Sequence, residues 1–267
     1  SHQNKAEEER LHAFEKRHGI SLPAGRQDPI TSNPVCADFL LGYGNKVVHG
    51  TYAQFGKEII PVPVPASDTY DFQNEKDFEK ARTHFLWFGG GGAILKGLDL
   101  VIEAFAKLPH LHLSIMGPSA YKKDFEEIYA HELSLPNITR YNRPRIGKDG
   151  KITSDGVELL EIFNQCGSVI YASASEGGGG AVVHAMQAGL FPIVTPNTGI
   201  DERVPQIILE DPSIENIQKA VEEFSQLPAE KIRELSKEVW EFARKNHTKK
   251  SFTKAWENFI DKTLKLS

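Results

Sequence analysis

The sequence predicts an α/β protein built on a doubly wound parallel sheet. From about residue 75, short apolar runs alternate with helical patterns over roughly 140 residues. A parallel sheet requires that order, because each strand needs a crossover to return beside its neighbour. The helical patterns are apolar on one face only, as in 96–108, where Leu98, Val101, Ile102, Phe105 and Leu108 recur at helical spacing. Two strand-to-helix junctions are runs of four glycines, and in such sheets ligands bind beyond the carboxyl ends of the strands.

The elements follow in order. Residues 4–18 read as a charged helix closed by Gly19, a favoured helix terminator. A Pro/Gly-rich stretch follows, then short elements around KVVHG and TYAQFG. In EIIPVPVP, prolines 61, 63 and 65 forbid a helix and suit an edge strand or a crossing linker. Residues 1–66 hold too few apolar runs to close a core alone, and read as part of a larger domain or an appendage packed on residues 67–267. The six expected strands are 84–89, 111–117, 137–142, 168–174, 191–195 and 206–210. The helices between and after them are expected over 96–108, 121–133, 154–166, 180–189, 214–224, 229–246 and 251–266.

Composition narrows the classes of function. Hydrophobic residues are 40% and charged residues 25% of the 267, ordinary values for a globular chain of about two domains. Thirty-one basic against 36 acidic residues give a net charge of −5, which argues against a nucleic-acid surface built on net charge. Cys36 and Cys166 stand far apart and in no metal-binding spacing, so neither a disulfide framework nor structural zinc is expected, and the cytoplasm is the default setting. No run approaches the ~18 apolar residues of a membrane span, and the N-terminus has no apolar signal core. Peripheral attachment at the inner face of a membrane stays open.

The two glycine loops are where chemistry is expected. The first, FGGGGAILKG (88–97), places Gly90 and Gly91 where a backbone can approach a ligand closely. Lys96 stands at the start of the next helix, where the helix dipole disfavours a cation, so its position makes sense beside an anion. The loop is not a P-loop, because Leu95 and Gly97 fill the places of its Gly and Ser/Thr. The second, SASEGGGGAVVHAMQAG (173–189), runs through Gly178, Gly179, Gly180 and Ala181 into a helix, a geometry that aims unpaired N–H groups at one point. Glu176 precedes it and His184 follows eight residues later. Val182 or Val183 falls where the third glycine of a dinucleotide fingerprint belongs, which disfavours a hydride-transferring dehydrogenase. Two phosphate-suited loops on one sheet imply a diphosphate or a nucleotide. A carboxylate beside them is suited to accept hydrogen bonds from hydroxyls, as on a sugar. Together these are the requirements of a nucleotide-sugar site.

On these residues the chain resembles the C-terminal domain of group 1 glycosyltransferases, the retaining family 4 enzymes of the GT-B fold. A glycine loop ends in Lys-Gly before an apolar helix (KGLDLVIEAF), Glu-Gly-x-Gly opens a helix carrying Ala-Met-x-Ala-Gly, and an apolar strand with a glycine-bearing loop follows (LFPIVTPNTGID). The likeness is clear over about 84–212 and extends weakly upstream through GNKVVHGTYAQFGKEIIPVPVP. It implies a Rossmann-like donor domain, with Lys96 and the amides of 178–181 on the donor phosphates and Glu176 on the sugar hydroxyls. It implies transfer of a hexose-type sugar from a nucleoside diphosphate to a saccharide or lipid-linked saccharide, with retention and without a bound metal, in polysaccharide or glycolipid synthesis.

Two positions depart from the family pattern. Gly90 or Gly91 stands where an arginine is usual, and His184 replaces the second glutamate of the pair. Losing one charged phosphate contact costs ~1.5–3 kcal/mol. A catalytically silent nucleotide-sugar-binding module and nucleotide-sugar epimerisation are the alternatives on the same fold. A complete GT-B enzyme has two Rossmann-like domains and this length holds one, so residues 1–66 are expected to be the tail of an N-terminal, acceptor-side domain on which the last helix packs back. His110 and His112 at strand spacing, Arg140, Arg143 and Arg145 beside Tyr141, and Asp201 and Glu202 are read as surface or loop residues, and Trp87 and Phe88 as core.

Overall fold

The computed structural model describes residues 2–23, 36–66, 69–117, 123–147 and 152–264. Helix α1 (His2–His18) ends at Gly19, whose φ of +64° explains the glycine. Strands β1 (Leu40–Gly42) and β2 (Ile59–Pro61) pair in parallel as a separate two-stranded sheet, with helix α2 (Lys46–Gly50) between them. The proline-rich segment is therefore a strand only in its first half. A one-turn helix, α3 (Phe78–Ala81), is capped by Asp77, which accepts from the Lys80 amide.

The main body then runs β3 (His84–Phe88), α4 (Leu98–Ala106), β4 (His112–Met116), α5 (Lys123–Ile128) and β5 (Ile138–Tyr141). Three short strands follow, β6 (Arg145–Ile146), β7 (Ile152–Ser154) and β8 (Val157–Glu158). After them come α6 (Leu159–Gln165), β9 (Ser168–Tyr171), α7 (Gly180–Met186), β10 (Phe191–Val194) and β11 (Ile207–Ile208). Helices α8 (Ile214–Ser225), α9 (Ala229–Asn246) and α10 (Lys249–Leu264) end the described chain. All six expected strands are present and form one parallel sheet in the order β11-β10-β9-β3-β4-β5. The chain moves outward from β3 through β4 to β5, then returns to the other side of β3 and moves outward again through β9, β10 and β11. That reversal puts a crevice between the carboxyl ends of β3 and β9, the position at which doubly wound sheets bind ligands.

Alternation along β3 separates the two covering layers. Phe85 faces Phe105 of α4 and Phe224 of α8, at ring-centroid distances of 5.3 and 5.7 Å. Phe88, of opposite parity, meets Phe163 of α6 and His184 of α7. Trp87, Phe85 and Leu86 are fully buried, so the sheet core is closed on both faces.

The described residues of 2–23 and 36–66 pack on this body. Phe14 of α1 is fully buried, 6.4 Å from the ring of Phe125 and 6.1 Å from that of Tyr129. Arg10 and Arg17 of α1 reach Asp99 in the first turn of α4, at 3.1 and 2.5 Å, and Arg17 also reaches Glu103 at 2.9 Å. Asp99 is 1% exposed, and burial raises its pKa while the two guanidiniums lower it. Burial is the larger effect, so the Asp99 pKa lies above the ordinary carboxylate value although two guanidiniums face it. From the other end of the chain, α10 sets Phe259 edge-on to Phe39, and Lys262 pairs with Glu58.

One expected element is different. Residues 154–166 do not form a single helix: β7 turns back into β8, and the helix begins only at Leu159. The turn is Asp155-Gly156, both at positive φ (51° and 82°), as in type I′ hairpins. The stretch 142–146, expected as a solvated loop, leads into and forms part of this small antiparallel sheet. The Asp155 carboxylate accepts from the Asn142 side chain and amide, both at 2.7 Å, which hold its pKa below the ordinary value.

Candidate functional site

The loops after β3 and β9 meet at the crevice. Gly97 has φ +72°, and a Cβ there would stand 2.3 Å from the carbonyl oxygen of Ala172, so only glycine lets the two loops touch. The Ala174 amide donates to the Leu95 carbonyl at 2.9 Å, which ties the loops together by backbone. Lys96 and Glu176, predicted from two different loops, are thereby brought side by side: Lys96 Nζ lies 2.9 Å from Glu176 Oε1, with the side chains 22% and 19% exposed. The Tyr171 hydroxyl donates to the same Glu176 oxygen at 3.4 Å. Burial, followed by the Glu176 charge, pushes the Tyr171 pKa well above its ordinary value, so it stays a neutral donor. Beneath the pair, Trp87 stacks on Tyr171 at 5.6 Å and its Nε1–H reaches the Lys96 carbonyl at 3.4 Å.

Along the first glycine loop opens a cleft of about 860 Å³, whose lining includes neither Lys96 nor Glu176. Gly90, Gly91, Ala181 and His184 line it, together with Phe88, Arg143, Pro144, Ile152 and Leu159. Nothing lies within 4 Å of a Cβ added to Gly90 or Gly91, so their backbone faces open space. His184 is 7% exposed. Its Nε2 shares a hydrogen bond of 3.0 Å with the Tyr70 hydroxyl, and the two rings are parallel at 5.8 Å. Phe163 stands edge-on to the His184 ring at 5.7 Å. Helix α7 therefore presents an anchored imidazole to the cleft.

The second glycine run divides. Gly178 and Gly179 have positive φ (149° and 59°) and approach neighbouring chain closely. A Cβ on Gly178 would meet Val64 at 2.6 Å and Tyr43 at 3.0 Å, and one on Gly179 would meet Ile200 at 2.9 Å. Gly180 is looser, with Val64 at 3.7 Å. The 43–64 segment thus backs the loop that opens α7, and Asn45 Nδ2 fastens it by donating to the carbonyls of Pro196 and Ile200 at 3.0 and 3.2 Å.

Sequence reasoning missed five contributing residues. Tyr70 lies in an irregular segment with no pattern to mark it. Gly117 (φ +107°) ends β4, and a Cβ there would be 2.2 Å from the Gly89 carbonyl, so it shapes the first loop from below. Arg143, Pro144 and Ile152 reach the cleft because the small antiparallel sheet walls it, and the Asp-Gly dipeptide was the available signal.

Other singled-out residues lie elsewhere. His112 stacks on His84 of the adjacent strand at 4.5 Å, and Arg140 pairs with Glu126 at 2.8 Å. Asp201 binds Arg203, and Glu202 faces Lys46. Among the described residues no three His, Cys, Asp or Glu side chains cluster as metal ligands, and no helix is long and apolar enough to cross a membrane.

Comparison with solved structures returns proteins of the same fold. The pneumococcal O-GlcNAc transferase GtfA, in complex with UDP and GlcNAc, aligns at TM-score 0.60 and 20% identity over 85% of this chain and 46% of its own. TarM of S. aureus, in complex with fondaparinux, alpha-GlcNAc-glycerol and UDP, aligns at 0.63 and 13% over 83% and 43%. A glycosyltransferase from Rickettsia africae ESF-5 aligns at 0.66 and 13% over 99% and 82%. The chain spans less than half the length of the first two. No curated protein matches it in sequence. Residues 82–226, which run from just before β3 to just past α8 and contain both glycine loops, match the family described as glycosyl transferases group 1. That match covers more than half of the chain, which therefore belongs to the group 1 glycosyltransferases.

Proposed function

We propose that residues 67–267 are the donor-binding half of a retaining glycosyltransferase, and that residues 1–66 belong to its acceptor-side domain. The enzyme moves a hexose-type sugar from a nucleoside diphosphate to a saccharide or lipid-linked saccharide, in polysaccharide or glycolipid synthesis. The observation that carries this reading is the Lys96–Glu176 pair, which joins the two loops at the point where the strand order reverses. A diphosphate entering there meets Lys96 and the open backbone of Gly90 and Gly91, with Arg143 and Lys249 on the wall of the cleft they line. Lys96 turns part of its charge from the carboxylate to the phosphates. Glu176, still held by Tyr171, is left to accept from sugar hydroxyls. The adjacent cleft has the size and partly apolar lining that a nucleoside needs. Structures of the same fold that were solved with UDP support a nucleoside diphosphate as the ligand class.

Alanine at Lys96 or Glu176, in the protein that contains this chain, should lower sugar transfer at least tenfold. Unchanged kinetics in both variants would refute the assignment. A second reading, a silent nucleotide-sugar-binding module, is favoured by His184: it replaces a glutamate and is already held by Tyr70. Donor binding with neither hydrolysis nor transfer in that protein would select it.

A further inference from the structure

The last three helices carry ten lysines and arginines, and eight of them sort by their surroundings. Lys219, Lys231 and Lys262 each face a glutamate. Arg244, Lys245, Lys249, Lys250 and Lys254 instead line a single cavity of about 760 Å³ at the junction of α9 and α10, and no carboxylate lines it with them among the described residues. Arg244 and Lys245 occupy the last turn of α9, where the helix dipole welcomes them. Lys249 and Lys250 occupy the first turn of α10, a 16-residue helix with no acidic residue in that turn, where the dipole opposes them. These cations repel one another, two of them also sit against a helix dipole, and an anion bound among them relieves both effects. Thr69, Thr248 and Ser251 add hydroxyls to the same wall.

We propose that this cavity binds a phosphate group, carried by a soluble phosphorylated molecule or by a lipid headgroup. The site contains neither Lys96 nor Glu176, and Lys249, which lines both this cavity and the 860 Å³ cleft, connects those two. Five cations around one cavity exceed what a single phosphate monoester needs, so the preferred ligand is polyanionic or presented on a charged surface.

The test uses the full chain and two probes: inorganic tripolyphosphate by calorimetry, and sedimentation with phosphatidylglycerol-containing vesicles against phosphatidylcholine alone. Each is repeated with Lys245→Ala/Lys250→Ala/Lys254→Ala, which leaves Lys249 and the crevice intact, and with the matching Lys→Arg triple variant. Saturable binding should fall at least tenfold in the alanine variant, persist in the arginine variant and weaken with salt. Tripolyphosphate binding assigns a soluble source, and binding to anionic vesicles alone assigns a headgroup. No binding in either arm, or equal binding by the wild type and the alanine variant, overturns the proposal. So does loss of tripolyphosphate binding in Lys96→Ala instead, which would place the anion at the proposed donor site and leave that reading standing.

Discussion

Replacing Arg17 by alanine should destabilise the chain by about 3 kcal/mol, because it strips one of two counter-charges from a carboxylate that water cannot reach. Asp99 is 1% exposed and holds Arg17 at 2.5 Å and Arg10 at 3.1 Å. Removing one partner of a buried pair costs about 3–5 kcal/mol. Arg17 is itself 25% exposed and Arg10 remains in place, so the lower end of that range applies. Glu103 keeps the Tyr129 hydroxyl at 2.6 Å and adds little to the loss. At about 2–4 °C per kcal/mol for a chain of this size, the melting temperature should drop by about 6–12 °C. Near-UV circular dichroism melts measure the drop, and hydrogen exchange reports whether α1 loosens first. In Arg17→Ala/Asp99→Asn the loss should be smaller than the sum of the single variants, because the uncompensated charge is gone. A shift of less than about 2 °C in Arg17→Ala, with α1 amides as protected as before, would refute this reasoning. The effect should extend to the first glycine loop, since Arg10 also donates to the Ile94 carbonyl at 3.2 Å and Asp99 lies just beyond Gly97.

Three further outcomes are expected. Gly97→Ala should cost more than the ~1–2 kcal/mol of left-handed backbone alone, since its Cβ would also strike Ala172. Gly91→Ala, facing open space, should melt within about 0.5 kcal/mol of the wild type, and equal melts for the two variants would contradict the loop geometry. Burial holds the pKa values of His84 and His247 below their ordinary 6.5, so on acidification the unfolded chain takes up these protons first. Stability should therefore be full above about pH 6.5 and fall below it, and a melting temperature unchanged between pH 7.5 and about 5.5 would contradict the assignment. Glu176→Ala should weaken binding of a nucleoside diphosphate sugar but not of the parent nucleotide, because it frees Lys96 while removing the hydroxyl acceptor. Calorimetry that shows both weakened equally would remove Glu176 from sugar recognition.

Much of this architecture was legible because fully buried parallel strands make unbroken apolar runs. HFLWF and SVIY could hardly be anything else, and the amphipathic repeat of 229–246 matches α9 end to end. Lys96 and Glu176 were legible because glycine runs punctuate strand-to-helix junctions. The small sheet β6–β8 was hidden because the helical periodicity of ELLEIF masked the Asp-Gly turn just before it. The Arg10–Asp99 contact joins residues 89 apart, and Tyr70 reaches His184 across 114. Pairings of that kind follow from topology, not from any local pattern.

The proposed function requires the crevice between β3 and β9 to bind a nucleoside diphosphate. Amide chemical shifts, followed while UDP, GDP and ADP are titrated into the isotopically labelled chain, test it most directly. Saturable shifts are expected for one nucleotide, concentrated in residues 89–97 and 177–184, and lost in Lys96→Ala. Shifts centred elsewhere on the chain, or none at millimolar nucleotide, would contradict it.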